Sequence, residues 1–134
     1  RMDKVASIAA IKHSEQIVVT ASINNVAFGE PVPNGSILTI EAKVSRAFNT
    51  SMEVFIDVWK QNKTHKKRVK VNEAIYTFVA VSKSGKTVKV PPLIPETELE
   101  KKRFDAALRR RQLSLVLAGK MKANEATELK AIFD

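Results

Sequence analysis

The sequence predicts an α+β domain in which one long antiparallel sheet lies between two helices along the chain. Apolar residues recur at three- and four-residue steps near the amino end, alternate from Ile17 to Val81, and return to helical spacing after Pro91 and Pro92. Strands that follow one another without intervening helices favour the α+β class over a parallel α/β sheet.

The amino-terminal helix is predicted to be slim. Its apolar positions are mostly small residues: Met2, Val5, Ala6, Ala9 and Ala10. The pattern closes at His13 and Ser14. Because small side chains let a helix approach a sheet closely, we expect a largely buried helix, with Asp3 on it rather than on a free surface.

Period-two patterns predict four strands. One face of the second carries Leu38, Ile40, Ala42 and Val44, and the third points Met52, Val54, Ile56 and Val58 inward. Glu53 and Asp57 then alternate outward. The fourth becomes apolar on both faces after Ala74, so we expect its second half to be central and covered on both sides.

Turn residues separate these strands. Pro31, Pro33, Asn34 and Gly35 follow the first strand, and Lys63 with Thr64 separates the third from the fourth. Because the connections are short, we expect successive strands to be antiparallel neighbours.

A second helix is predicted to begin near Thr97. Thr97 and Glu100 have the spacing of a capping box, and Gly119 is placed to end the helix. A weaker helical pattern follows, with Leu129 and Ile132. We therefore predict a main domain over residues 1–118 and a helical extension over residues 119–134.

The composition limits the classes of function. No cysteine is present, which excludes a disulfide framework, a thiolate metal site and a cysteine nucleophile, and favours a reducing, cytoplasmic location. No apolar run is long enough to span a membrane. The two histidines lack metal-ligand spacing to each other, so we predict no metal site.

The net charge of +9 indicates an anionic partner. Basic residues cluster in Lys60–Lys70, Lys83–Lys89 and Lys101–Arg111. Nucleic acid, an acidic membrane surface or a phosphorylated small ligand would each satisfy this charge, and so would a solvated surface without a ligand.

Short motifs occur in one order along most of the chain. They are Met2-Asp3 with the alanines that lead to His13, Thr20-Ala21-Ser22, Thr50–Val54, Thr77–Ala80, Pro91–Thr97, and Phe104 with Arg109 and Arg110. In this order they resemble the acyl-CoA hydrolases of the hotdog superfamily, over residues 1 to about 111. Similar enzymes also have an opening strand and a glycine-containing segment before the Met-Asp pair, which this sequence lacks.

The resemblance implies a hotdog fold, in which a long antiparallel sheet wraps around a central helix. It also implies hydrolysis of acyl-CoA thioesters without a cofactor, since CoA is part of the substrate. Asp3 would be the catalytic general base or nucleophile. From the residues alone, Asp3 is an acidic residue that complements the dipole of a helix start.

The resemblance also implies substrate contacts. Thr50, Ser51 and Met52 would lie near the pantetheine arm, and Arg109 and Arg110 near the CoA phosphates. Asn24 is expected at a boundary between subunits, where hotdog sites form. From the residues alone, Thr50, Ser51 and Met52 form a strand edge with one buried Met. Asn24 is a turn-facing residue, and Arg109 and Arg110 belong to a solvated helix face.

Assembly and two alternative functions complete the expectations. The resemblance implies dimers that share each site and gather into a homohexamer, with acyl-CoA as ligand and with neither nucleic acid nor membrane as partner. A non-catalytic acyl-CoA-binding subunit is one alternative. A basic nucleic-acid-binding domain is the other, although one Trp and one Tyr offer little for stacking bases.

Overall fold

The computed structural model describes residues 2–61 and 67–119. The elements are α1 (Met2–Ser14), β1 (Ile17–Ala27), β2 (Ile37–Ala47), β3 (Ser51–Gln61), β4 (Arg68–Val81) and α2 (Glu98–Leu117). The chain divides into two compact units, residues 1–93 with α1 and the four strands, and residues 94–134 with α2. The predicted α+β class is confirmed.

The strands form one antiparallel sheet in the order β1-β4-β3-β2. The predicted neighbours β2–β3 and β3–β4 are confirmed, and β4 is central as expected. The prediction that β1 lies beside β2 is wrong, because β1 pairs with β4 from Ile17↔Val81 to Ala27↔Asn72. The connection over residues 28–36 therefore carries the chain from one edge of the sheet to the other.

The hydrophobic core lies between α1 and one face of the sheet. Ala6 and Ala10 of α1 are fully buried, as the small side chains predicted, and they belong to one cluster with the inward residues of β3 and β4. These strand residues are Met52, Val54, Ile56, Val58, Ala74, Tyr76, Phe78 and Ala80. The predicted inward face of β3 is confirmed.

The opposite face of the sheet holds buried acidic side chains that have hydrogen-bond or ion-pair partners. Glu53 and Asp57 were expected outward, yet they are only 5% and 7% exposed. Ser45 Oγ donates to Glu53 Oε1 at 2.6 Å, and Lys70 Nζ lies 2.9 Å from Asp57 Oδ1. Partners on neighbouring strands compensate these buried carboxylates, which strand alternation alone does not reveal.

Lys70 shows the strength of this pairing. Its partial burial acts to lower the pKa, but the hydrogen bonds and charges of Asp57 and Glu73 outweigh that effect and raise the pKa of Lys70. Lys70 therefore remains a cation at neutral pH.

In the second unit, the start of α2 has the predicted capping box. The Glu100 backbone N–H donates to Thr97 Oγ1 at 3.0 Å, and the Thr97 backbone N–H donates to Glu100 Oε1 at 3.3 Å. Gly119, with φ of 73°, follows the helix end. The predicted turn at Lys63 and Thr64 lies outside the described residues, as does the helical extension beyond residue 119. Neither described helix is long and apolar enough for a membrane span.

Candidate active site

The first turn of α1 is joined to the centre of the sheet by one hydrogen bond. Tyr76 Oη donates to Asp3 Oδ1 at 2.5 Å, although the two residues are far apart in sequence. Tyr76 lies on the face of β4 that packs against α1, between Ala74 and Phe78 in the alternation of the strand, and is 2% exposed. The fold therefore holds a buried hydroxyl against the carboxylate at the helix start.

The two members of this pair differ in exposure. Burial, followed by the hydrogen bond and the charge of Asp3, raises the pKa of Tyr76 to about 12. The hydroxyl therefore stays protonated, and able to donate, across the physiological pH range. Asp3 itself is exposed, which corrects the expectation that it would be buried with its helix. Only Ala6, Ala10 and Ser14 of α1 are buried, because α1 turns one narrow stripe toward the sheet.

An aromatic stack supports the pair. The rings of Tyr76 and Phe78 lie 5.8 Å apart at an interplanar angle of 10°. Met52 of β3 and Thr20 of β1 are the register partners of Phe78. The ladder of β1 shifts between Thr20 and Ser22, which is a bulge at Ala21. Bulges are common beside active sites, where they redirect side chains.

The three residues predicted around the start of β3 do not all lie on the face of the sheet that packs against α1. Met52 lies on the α1 side of the sheet and is fully buried. Ser51 is 4% exposed and pairs with Val79, so it lies on the other face. Thr50 precedes β3, is half-buried, and its carbonyl accepts from the Ala80 backbone N–H at 2.9 Å.

Asn24 lies on the face of the sheet away from Asp3. Its register partner on β4 is Ile75, whereas Tyr76 pairs with Ile23. The exposed Asn24 side chain is therefore not part of the group formed by Asp3 and Tyr76.

Arg109 and Arg110 lie on α2, in the unit of residues 94–134. Both side chains are half-buried, while Arg111 is exposed. Three consecutive residues of a helix do not share one face, which accounts for this difference.

The histidine at the end of α1 has a structural contact. His13 Nε2 donates to the Pro91 carbonyl at 2.8 Å, which ties the end of α1 to the segment after the sheet. Within residues 2–61 and 67–119, no three His, Asp or Glu side chains converge to hold a metal ion.

Sequence reasoning missed Tyr76. A signal was present, since Tyr76 is the only tyrosine of the chain and stands in an apolar strand. A buried tyrosine hydroxyl normally finds a hydrogen-bond partner. The identity of that partner depends on how α1 lies across β4, which residue spacing does not give.

Comparisons with known proteins connect this geometry to a family. Residues 2–67 match the model of the Thioesterase superfamily. A hexameric acyl-CoA thioesterase, solved in its apo form, superposes with a TM-score of 0.81 at 35% identity, over 87% of this chain and 75% of that one. The chain belongs to the thioesterase superfamily. Its fold is accordingly the hotdog fold that the motifs implied.

Two further relatives of this thioesterase-superfamily chain are named as hydrolases of acyl-CoA. The acyl-CoA hydrolase of Staphylococcus aureus, solved with butyryl coenzyme A and coenzyme A, has a TM-score of 0.78 at 32% identity, over 89% of this chain and 74% of that one. Structures of that enzyme with a Thr, an Asn or an Asp changed to Ala are also known. The human cytosolic acyl coenzyme A thioester hydrolase is 38% identical over 78% of this chain, which spans 28% of that relative.

Proposed function

We propose that this chain hydrolyses acyl-CoA thioesters to a free fatty acid and CoA, with Asp3 as general base or nucleophile. The observation that carries the proposal is the exposed Asp3 carboxylate, which is held by Tyr76 in the first turn of α1. The activity named for the superfamily relatives supports the same reaction.

The reaction requires a nucleophile and stabilisation of an oxyanion. Water attacks a thioester carbonyl efficiently when a carboxylate removes its proton, and a carboxylate can also attack directly. Asp3 is accessible for either role. Unpaired backbone N–H groups at the start of a helix favour negative charge, so the start of α1 is the natural place for the oxyanion.

The Staphylococcus aureus variants support Asp3 in particular. The Asp and the Thr that were changed in that enzyme are as far apart along its chain as Asp3 and Thr20 are here. Thr20 pairs with Phe78, the ring stacked on Tyr76.

The experiment is hydrolysis of acyl-CoA by the full-length protein, followed through release of the free thiol, for wild type and for Asp3→Asn. Thiol release by wild type that depends on Asp3 supports the proposal. Tight CoA binding without turnover would favour the non-catalytic acyl-CoA-binding subunit instead.

Thr50, Ser51 and Met52 remain predicted contacts of the pantetheine arm, and Asn24 a predicted contact at the subunit boundary. Thr50 is the most accessible of these three residues, since Ser51 and Met52 are 4% and 0% exposed. Thr50→Ala, assayed for the Michaelis constant with acyl-CoA, therefore tests this group most directly.

We also propose a cytoplasmic location, which the absence of cysteine and the cytosolic human relative support. Fractionation of cells would test it.

Charge reversal on α2 tests the predicted site for the CoA phosphates. Changing both Arg109 and Arg110 to Glu should raise KM more than it lowers kcat, because these groups would bind the nucleotide end, far from the bond that breaks. Steady-state kinetics with acyl-CoA measures both constants. Changing the exposed Lys101 and Lys102 to Glu makes the same change in net charge on the same helix and is the matched control. Equal kinetics for both double variants would assign the arginines to a solvated surface.

A homo-oligomer, built from dimers and reaching a hexamer, is the proposed assembly. β1 lies at an edge of the sheet, and Ile17, Val19, Ile23 and Val26 are each 50–54% exposed. An edge strand with exposed apolar side chains is a template for pairing with another chain. The hexameric relative supports this assembly. Light scattering at micromolar concentration should return a multiple of the subunit mass, and a monomer there would contradict the proposal.

A further inference from the structure

Tyr76 has a geometry that the proposed catalytic role of Asp3 leaves unexplained. Its side chain is 2% exposed, yet its hydroxyl reaches the exposed carboxylate of Asp3 at 2.5 Å. We propose that Tyr76 is a positioning residue for acyl-CoA hydrolysis, and that its hydroxyl fixes Oδ1 of Asp3 so that the other carboxylate oxygen faces the reacting group. This inference rests on the proposed function, because it gives Tyr76 a role through Asp3.

Asp3 needs such a partner because of its location. An exposed aspartate in the first turn of a helix can adopt several side-chain rotamers, and only some of them aim a carboxylate oxygen at one point. General-base and nucleophilic catalysis both depend strongly on the position of the reacting oxygen. One short hydrogen bond from a rigid donor restricts Asp3 to the rotamers that keep that bond.

Tyr76 is a rigid donor. β4 is paired on both sides, and Tyr76 lies between Ile23 of β1 and Val54 of β3 in register. Its ring stacks on Phe78, which is itself 2% exposed. A group held by a central strand and by core packing fixes its hydrogen-bond partner better than a group on a loop does.

The neighbours of Tyr76 in the sheet offer its hydroxyl no other acceptor. The register partners Ile23 and Val54 are apolar, and so are Ala74 and Phe78, the neighbours of Tyr76 on the same face of β4. None of these side chains offers an acceptor. A protonated tyrosine is moreover a neutral donor, so it orients the carboxylate without supplying the full positive charge that Lys or Arg would bring. The raised pKa of Tyr76 keeps the hydroxyl in that form.

The test is Tyr76→Phe in the full-length protein, which removes the hydroxyl and keeps the ring. We expect kcat for acyl-CoA hydrolysis to fall about tenfold to a hundredfold, the range that corresponds to loss of one hydrogen bond to a charged group. KM should change by less than about threefold, because the variant leaves the binding surface in place. A kcat within about twofold of wild type would overturn the inference.

A double-mutant cycle separates positioning from a general structural role. If Tyr76 acts through Asp3, adding Tyr76→Phe to Asp3→Asn should lower kcat by less than about twofold further. Independent structural damage would instead multiply the two losses, and that result would overturn the inference. Full activity of Asp3→Asn would instead reject the proposed catalytic role of Asp3. An absence of thiol release by wild type would reject the proposed function, and both results are distinct from those of the cycle.

Ser45→Ala is the matched control, because it also removes a buried hydroxyl that donates to a carboxylate, here Glu53 on the other face of the sheet. Its kcat should equal that of wild type within about twofold, and a loss equal to that of Tyr76→Phe would overturn the assignment. If Tyr76→Phe fails to fold in thermal melts, Asp3→Glu provides the second variant. It alters an exposed side chain and displaces the carboxylate from Tyr76, so kcat should again fall about tenfold or more. Unchanged kcat for Asp3→Glu would overturn the inference.

Discussion

Replacing Asp3 by Asn is expected to lower the turnover of acyl-CoA hydrolysis by about a hundredfold to ten-thousandfold, the usual contribution of a positioned general base. Asn has nearly the size of Asp but is neither basic nor nucleophilic at neutral pH. Its side-chain carbonyl can still accept the hydrogen bond from Tyr76, so the geometry of the first turn should persist. The measurement is free thiol release by the full-length protein at saturating acyl-CoA.

Folding should survive this change. Asp3 is exposed, and the lost interaction with the helix dipole is worth about 0.3 to 1 kcal/mol, a small part of the stability of a domain. Matched thermal melts check this expectation. Asp105→Asn makes the same chemical change at an exposed position of α2 and should retain wild-type turnover. Activity of Asp3→Asn within a few-fold of wild type would exclude Asp3 as the catalytic carboxylate.

The second large effect is expected on stability, from Phe78→Ala. Phe78 is among the largest fully buried side chains, and its ring stacks on Tyr76 in the core between α1 and the sheet. Truncation removes apolar contacts and leaves a cavity, so the free energy of unfolding should fall by about 3 to 5 kcal/mol. Urea denaturation, followed by circular dichroism at one fixed protein concentration, measures the loss.

Ile94→Ala is the control for this truncation. Ile94 is 80% exposed, so removing its side chain should change the free energy of unfolding by no more than about 0.5 kcal/mol. A loss below about 1 kcal/mol for Phe78→Ala would contradict the placement of Phe78 in the core.

Local features of the fold could be predicted because they depend on residues close together in sequence. The small side chains of α1, the inward face of β3 and the capping box at Thr97 and Glu100 each leave a pattern within a few residues. Strand order does not leave such a pattern. Period-two spacing identifies the face of each side chain, but the neighbour of β1 is decided by where residues 28–36 lead the chain.

The candidate site likewise has features that could be predicted from the sequence and features that could not. Asp3 was identified through a resemblance to known enzymes, since an acidic residue at a helix start has an ordinary structural explanation by itself. Its contact with Tyr76 joins two distant parts of the sequence and appears only when α1 packs on β4. The burial of Glu53 and Asp57 was missed for a related reason, because their compensating partners Ser45 and Lys70 lie on neighbouring strands.

The bulge at Ala21 changes which side chains of β1 lie on the face of the sheet that packs against α1. Thr20 faces the α1 side beside Phe78, and uninterrupted alternation from Thr20 would place Asn24 on that side as well. Because the bulge inserts one extra residue, the alternation of side chains between the two faces is reversed after it. Ile23 therefore lies on the same face as Tyr76, and Asn24 lies on the opposite face. An alignment that opened a gap at Ala21 would therefore exchange the two faces for the rest of the strand. When β1 is compared with related sequences, the alternation between the two faces must therefore be assigned separately for the residues before Ala21 and for those after it.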